Sequence, residues 1–242
     1  MRTVFGRFLD VIWPRQCEIC GKAVDRPARY VCSDCLNRIG FCPTDGCCRI
    51  CGRSVDKLDG EFVCSDCRDT SPSFDRACSA VVFDTEARRM VNDFKFNGHF
   101  WLLPDLLDWM EAAARTRFAL EKVDVVVAMP STLLHRLDRG YSQCALLAKG
   151  LARRLDKPYA AFALRRKGFP RRQGGLSEAE RRTNVIGTFS VLRPECMTGR
   201  TVLLVDDIMT TGSTLSECAA ELKRAKAARV WCQTLARTPH NG

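Results

Sequence analysis

The sequence has no long apolar run. None of its stretches approaches the about 18 consecutive apolar residues that a membrane-spanning helix needs. It also has no recognisable export signal, because Arg7 and Asp10 interrupt the apolar residues near the N-terminus and no small-residue cleavage site follows. These absences argue against a membrane span and against secretion. We therefore expect a cytoplasmic protein.

A disulfide framework is not expected either, although the chain of 242 residues contains 15 cysteines. Disulfides persist in oxidising compartments, whereas the cysteines of a cytoplasmic protein are more often reduced thiols that bind metal. The length allows one well-buried domain and a small second one.

The charge of the chain is unevenly distributed. Residues 1–70 hold 11 Lys and Arg against 10 Asp and Glu, so nearly all of the net charge of +10 comes from residues 71–242. A basic surface there favours an anionic partner, either a phosphorylated small molecule or a nucleic acid. The charge does not distinguish between the two.

Four Cys-x-x-Cys pairs belong to two copies of one sequence unit, at 17–35 and 48–67. Two such pairs place four thiolates around one tetrahedral zinc ion and leave no open position, so the ions should be structural. Pairing across the copies is an alternative, but the repeat favours one ion per copy. The predicted ligands are Cys17, Cys20, Cys32 and Cys35 for the first ion, and Cys48, Cys51, Cys64 and Cys67 for the second. Cys42 and Cys47 could compete with Cys48 for a place in the second site, but neither has a counterpart in the first copy.

Residues 71–242 alternate apolar strand-like runs with amphipathic helix-like runs, which predicts an α/β domain with a parallel sheet and right-handed crossovers. Residues 68–77 are polar and turn-rich and are interpreted as a linker. We predict strands at 78–84, 123–130, 158–164, 186–192, 201–207 and 229–237. Predicted helices lie at 86–96, 102–118, 142–155 and 213–227. The remaining cysteines are interpreted as small core residues: Cys78, Cys144, Cys196, Cys218 and Cys232.

The segment 202–218 carries the strongest functional signal. Four apolar residues form a buried strand, two carboxylates end it, and a run of hydroxyl residues with one glycine leads into a helix. Backbone amides at the helix start can surround a phosphate, with Gly212 allowing close approach, while Asp206 and Asp207 can accept hydrogen bonds from ribose hydroxyls. The predicted phosphate-binding residues are Thr210, Thr211, Gly212, Ser213 and Thr214. The loop has neither the lysine of a Walker motif nor a G-x-G-x-x-G fingerprint.

This arrangement resembles the signature of type I phosphoribosyltransferases. The resemblance implies a pyrophosphate loop after the strand that ends at Pro130, with Ser131, Arg136 and Arg139 as candidate contacts. Arginine suits this role because its planar fork binds two oxygens at once. It also implies a mobile loop at 165–184, where seven basic residues stand against two acids.

The ordered set of cysteine units, FKF at 94–96, RGYSQ at 139–143 and VDDIMTTGST at 205–214 resembles the ComF family. The resemblance covers nearly the whole chain. It implies a type I phosphoribosyltransferase fold preceded by a small double zinc-ribbon domain, with residues 1–70 as the ribbons and 71–242 as the transferase-like domain. It also implies a bacterial protein linked to natural competence and uptake of single-stranded DNA.

Two functional hypotheses follow. In the first, the protein binds phosphoribosyl pyrophosphate or a related ribose 5-phosphate with Mg²⁺, and acts with competence proteins and single-stranded DNA. Phe169 and Tyr141 are then candidates for stacking on bases. In the second, it is an active phosphoribosyltransferase of nucleotide salvage. The sequence leaves turnover, the acceptor base and the oligomeric state open.

Overall fold

In the computed structural model, the described residues are 15–24, 29–54, 62–130, 142–167 and 187–239. The two cysteine units, defined as residues 17–35 and 48–67, repeat in structure as well as in sequence. In each, an antiparallel bridge spans the first Cys-x-x-Cys turn, Gln16 with Ala23 and Cys47 with Ser54. A short helix follows the third cysteine in each, α1 at Ser33–Leu36 and α2 at Ser65–Thr70.

The transferase-like part contains six strands and four longer helices within the described residues. The strands are β1 Arg76–Val82, β2 Val125–Ala128, β3 Leu164–Arg166, β4 Phe189–Val191, β5 Thr201–Met209 and β6 Arg229–Arg237. The helices are α3 Thr85–Phe96, α4 Leu103–Arg117, α5 Gln143–Arg154 and α6 Ser213–Arg224. Within those ranges, we find no helix that combines the length and the apolar character needed to cross a bilayer.

Four of the strands form one parallel sheet in the order β1-β6-β5-β2. The central strand β6 is buried at every residue after Arg229, and β5 is buried from Thr201 to Val205, as expected for strands covered on both faces of a parallel sheet. The predicted parallel α/β sheet is therefore present.

Two predicted strands are not regular strands of that sheet, so this part of the prediction was wrong. Residues 158–164 contribute only one bridge, from Tyr159 to Val126. Strand β3 pairs antiparallel with β4 in a separate two-stranded sheet. The physical reason is that Arg165 and Arg166 follow Leu164, and a strand with charged side chains is unsuited to a sheet buried on both faces.

Helices cover both faces of the parallel sheet and create two buried clusters. Helices α4 and α5 pack on one face, and α6 packs on the other. The cysteines of the first unit, Cys17, Cys32 and Cys35, belong to the first cluster, while those of the second unit belong to the second.

The segment between the two cysteine units runs along the edge strand β1. The amide of Val82 donates to the carbonyl of Gly40 at 2.7 Å, and the amide of Cys42 donates to the carbonyl of Ala80 at 3.0 Å. The two units therefore straddle this edge of the sheet, one contributing to the buried cluster of each face. Because both units share clusters with the sheet, the domain boundary after residue 70 stays a prediction.

Candidate functional site

Each cysteine unit gathers its own four sulfurs into a cluster whose atoms all lie within 4.8 Å of one another. The Sγ atoms of Cys20 and Cys32 are 3.8 Å apart, and those of Cys51 and Cys64 are 3.7 Å apart. Tetrahedral zinc with Zn–S bonds of about 2.3 Å separates its sulfurs by about 3.8 Å. The donor set and its spacing therefore fit one zinc ion per unit.

The surroundings of the sulfurs also fit a metal. The amide of Cys32 donates to the Sγ of Cys17 at 3.4 Å, and the amide of Cys64 donates to the Sγ of Cys48 at the same distance. Such hydrogen bonds stabilise thiolate ligands. Cys42 and Cys47 lie outside both four-sulfur clusters. The thiol of Cys47 instead donates to the carbonyl of Thr44.

The acid pair ends the buried part of β5. Asp206 and Asp207 are partly buried, and the strand continues two residues beyond its predicted end, to Met209. The Oδ1 of Asp206 accepts from the amide of Asp207 at 2.9 Å, and the Oδ1 of Asp207 accepts from the amide of Ile208 at 2.7 Å. These bonds orient both carboxylates at the carboxyl end of the strand, where parallel sheets bind ligands.

Lys95 forms an ion pair with Asp207, its Nζ lying 2.5 Å from the Oδ2. The pKa of Lys95 is raised: burial disfavours the ammonium, but the neighbouring carboxylate of Asp207 outweighs that cost. Gln143 donates to the main-chain carbonyl of Lys95 at 2.6 Å. Lys95 of the FKF motif and Gln143 of the RGYSQ motif thus meet beside the acid pair. The sequence interpretation had assigned neither Lys95 nor Gln143 to the site, although a lysine between two aromatic residues was a usable signal.

Asp206 differs from its neighbour because a thiol contacts it. The Sγ of Cys144 donates to its Oδ1 at 3.1 Å. Burial, and then the negative charge of Asp207, raise the pKa of Asp206 to about 7. Cys144 is buried, as predicted for a core residue, but the prediction missed its contact with the site. The Cys144 thiol stays protonated, since burial and the Asp206 carboxylate raise its pKa well above the usual value.

The predicted phosphate-binding segment, residues 210–214, is called the phosphate loop and turns the chain from β5 into α6. Gly212 has a φ of 77°, a backbone conformation that favours glycine, and a Cβ there would displace the end of the flexible Met209 side chain, whose Cε would lie 2.7 Å away. The hydroxyls of Thr211 and Ser213 are 2.8 Å apart. Gly212 is the N-cap of α6 and has no side chain to bond the first-turn amides. Such amides are the groups that bind an anion at a helix N-terminus.

A cavity of about 260 Å³ borders the phosphate loop. The loop and α6 form one side, and the last residue of α2 together with Pro72 forms the other. The lining residues are Thr70, Pro72, Thr211, Gly212, Ser213, Ser216 and Glu217. The site is therefore built partly by residues far from it in sequence.

Several predicted contacts lie outside the described residues. Ser131, Arg136 and Arg139 are among them, as are Tyr141, Phe169 and most of the basic segment 165–184. The described beginning of that segment includes Arg165, whose Nε donates to the hydroxyl of Ser190 at 3.0 Å.

Two domain families match the chain. The phosphoribosyl transferase domain matches residues 141–242, and the double zinc ribbon domain matches residues 8–68. Together with the parallel sheet and the two four-sulfur clusters, they define a protein with a type I phosphoribosyltransferase fold and an N-terminal double zinc ribbon.

Two relatives match this chain over most of their length. Competence protein F of Haemophilus influenzae is 29% identical over 211 residues, which cover 86% of this chain and 90% of the relative. The DNA utilization protein YhgH of Escherichia coli K12 is 28% identical over 204 residues, covering 77% and 89%. The chain is a homologue of competence protein F and YhgH, which confirms its resemblance to the ComF family.

Among solved structures, the chain overlaps the glutamine phosphoribosylpyrophosphate amidotransferase of Bacillus subtilis, complexed with ADP and GMP. The TM-score is 0.38, with 22% identity over 55% of this chain and 26% of that one. This chain spans only about a quarter of the amidotransferase. The structural similarity is too low to assign the fold. The fold assignment rests on the domain families and the sheet order.

Proposed function

We propose that this protein binds phosphoribosyl pyrophosphate with Mg²⁺ at the carboxyl end of β5, as a ComF-like protein of the bacterial cytoplasm that takes part in natural competence. The observation that carries the proposal is the acid pair Asp206 and Asp207, placed directly before a glycine-capped helix N-terminus. The match to the phosphoribosyl transferase domain over 141–242 supports it.

In the proposed complex, the two carboxylates accept hydrogen bonds from the ribose hydroxyls. The phosphate loop receives the 5-phosphate, with Gly212 letting the backbone approach. Bound Mg²⁺ would offset the negative charge of the pyrophosphate. We expect Lys95 to exchange its contact with Asp207 for an oxygen of the pyrophosphate, since its ammonium already lies at the acid pair.

The link to single-stranded DNA and to competence proteins rests on the relatives and on charge. The relatives are named for competence and for DNA utilization. The positive charge of this chain is concentrated in residues 71–242, which favours a polyanion. Active nucleotide salvage is the alternative function.

Calorimetry on the full chain with phosphoribosyl pyrophosphate and Mg²⁺ tests the binding. The wild type should bind, and the double variant Asp206→Ala, Asp207→Ala should lose binding while keeping two zinc ions per chain. Glu121→Ala is the control, because Glu121 is exposed near the start of β2, at the opposite end of the sheet. Absence of wild-type binding would refute both functions.

Turnover and DNA binding separate the two functions. Release of pyrophosphate with one member of a panel of nucleobases would establish salvage. Binding without release, together with association with single-stranded DNA that weakens as salt rises, would establish the competence role.

A further inference from the structure

The connecting segment, residues 70–75, joins the second cysteine unit to β1 and was predicted to be a polar linker. It is instead fixed against the elements that carry the phosphate loop. The amide of Ser73 donates to the hydroxyl of Ser216 on α6 at 2.9 Å. The two carboxylate oxygens of Asp75 accept from the Nζ of Lys223 at 2.8 Å and from the amide of Val230 at 2.7 Å.

Phe74 connects the second cysteine unit to the phosphate loop by packing. Its side chain is 3% exposed and belongs to the same buried cluster as Cys48, Cys51, Cys64 and Cys67. A Cβ built on Gly212 would lie 3.6 Å from the Phe74 ring. The loop backbone therefore lies close to a side chain that belongs to the same buried cluster as the cysteines of the second unit.

The second unit is also held firmly by backbone contacts. The guanidinium of Arg237, at the end of β6, donates to the carbonyl of Cys51 at 2.9 Å, and that of Arg117 donates to the carbonyl of Cys48 at 2.6 Å. Helix α2, which contains Cys67 of this unit, ends at Thr70, and Thr70 lines the cavity at the phosphate loop.

The first cysteine unit is attached elsewhere. Its contacts go to α4 and to the residues before it, where the amide of Tyr30 donates to Asp105 and the indole of Trp101 donates to Glu18. Within the described part of the chain, the first unit supplies no residue to the wall of that cavity.

We propose that the second cysteine unit positions the phosphate loop, so that zinc binding by this unit and ligand binding by the loop are energetically coupled, whereas the first unit has no such coupling. A zinc site folds its own surroundings, and a loop that is already ordered loses less entropy when a ligand binds. The choice of ligand rests on the proposed function. The coupling itself rests on the contacts of residues 70–75.

Two matched variants test the coupling. Cys32 and Cys64 occupy the same position in the repeat and are 5% and 6% exposed. In the full chain, Cys32→Ser and Cys64→Ser should each remove one of two zinc ions, as measured by metal analysis. Cys64→Ser should weaken binding of phosphoribosyl pyrophosphate with Mg²⁺ by about tenfold or more, a usual size for energetic coupling. Cys32→Ser should leave the affinity within about twofold. Equal effects of the two variants would overturn the proposal.

A milder variant covers the case in which Cys64→Ser fails to fold. Ser216→Ala removes the bond to the amide of Ser73 and keeps all eight predicted ligands. We expect both zinc ions to be retained and binding to weaken by about threefold. Because coupling is reciprocal, saturating ligand should raise the affinity of one zinc ion in the wild type, measured by competition with a chelator. An unchanged zinc affinity would contradict the proposal.

Amide hydrogen exchange keeps this test separate from that of the proposed function. Residues 209–216 should exchange faster in Cys64→Ser and in Ser216→Ala than in the wild type, and at the wild-type rate in Cys32→Ser. If the wild type does not bind phosphoribosyl pyrophosphate, the proposed function fails, and exchange still decides the coupling. Wild-type exchange in all three variants would overturn it.

Discussion

The two cysteine units share one internal structure but dock in different ways. In both, an amide-to-sulfur bond of 3.4 Å joins the third cysteine to the first, and the residue after the first cysteine donates to a carbonyl two residues before the third. The first unit is held mainly by side chains, including the ion pair of Arg29 with Asp108 at 2.7 Å. The second is held largely through its backbone carbonyls. The repeat therefore specifies the metal cage, and residues outside it specify the docking.

The largest effect of losing a single side-chain contact is expected at Asp105, which is fully buried and accepts from the amide of Tyr30 at 2.8 Å. Asp105→Ala removes that acceptor beneath the first unit. We expect the free energy of unfolding to fall by about 3 kcal/mol, because a partly buried amide loses its partner and the nearby Arg29 loses a buried carboxylate. Urea denaturation measures the change.

Asp105→Asn is the control, because its amide oxygen can still accept from Tyr30. It should cost less than Asp105→Ala. If Asp105→Ala costs less than about 1 kcal/mol, comparable to one ordinary hydrogen bond, the first unit does not depend on this contact.

A smaller difference in stability is expected between the two units when the same substitution is made at one matched position. Gly21 and Gly52 both have positive φ, 73° and 71°. A Cβ on Gly21 would meet nothing within 4 Å, whereas one on Gly52 would lie 2.8 Å from the carbonyl oxygen of Ala77. Alanine costs about 1–2 kcal/mol at either position through φ alone, and the backbone clash at Gly52 should add about 2 kcal/mol.

Thermal unfolding of Gly21→Ala and Gly52→Ala measures that difference. We expect a lower melting temperature for Gly52→Ala, with two zinc ions retained in Gly21→Ala. Equal melting temperatures would show that the second unit is not tightly seated on β1.

The smallest effect is expected at Trp101, which is 43% exposed. Its Nε1 donates to the Oε1 of Glu18 at 2.6 Å, and its ring stacks on His99. Trp101→Phe keeps a ring and removes the donor, so it should lower the free energy of unfolding by no more than about 1 kcal/mol. A loss above that, measured by urea denaturation, would mean that this exposed contact is a principal anchor of the first unit.

The elements that the sequence predicted well are those with local signals. Strand β5 and the start of α6 follow from an apolar run, two acids and a glycine. The four-sulfur grouping follows from the repeat. In both cases, neighbours in sequence or copies of one pattern carry the information.

The elements that the sequence missed depend on distant contacts. Lys95 meets Asp207, and Cys144 meets Asp206, only because the sheet brings α3 and α5 to the end of β5. Residues 70–75 are polar in sequence, yet Phe74 is buried through contacts that lie far along the chain. The separate pairing of β3 with β4 likewise depends on Arg165 and Arg166, whose charged side chains are unsuited to a sheet that is buried on both faces.

Removal of the segment between the cysteine units should uncover an edge strand of the sheet. It pairs with β1, which is the edge of the four-stranded sheet, through Gly40 and Cys42, with Phe41 bridging Val81. An uncovered edge strand exposes unpaired backbone groups that promote sheet-to-sheet aggregation. Residues 40–42 thus also cover this edge, and a transferase-like domain expressed without residues 1–70 should self-associate.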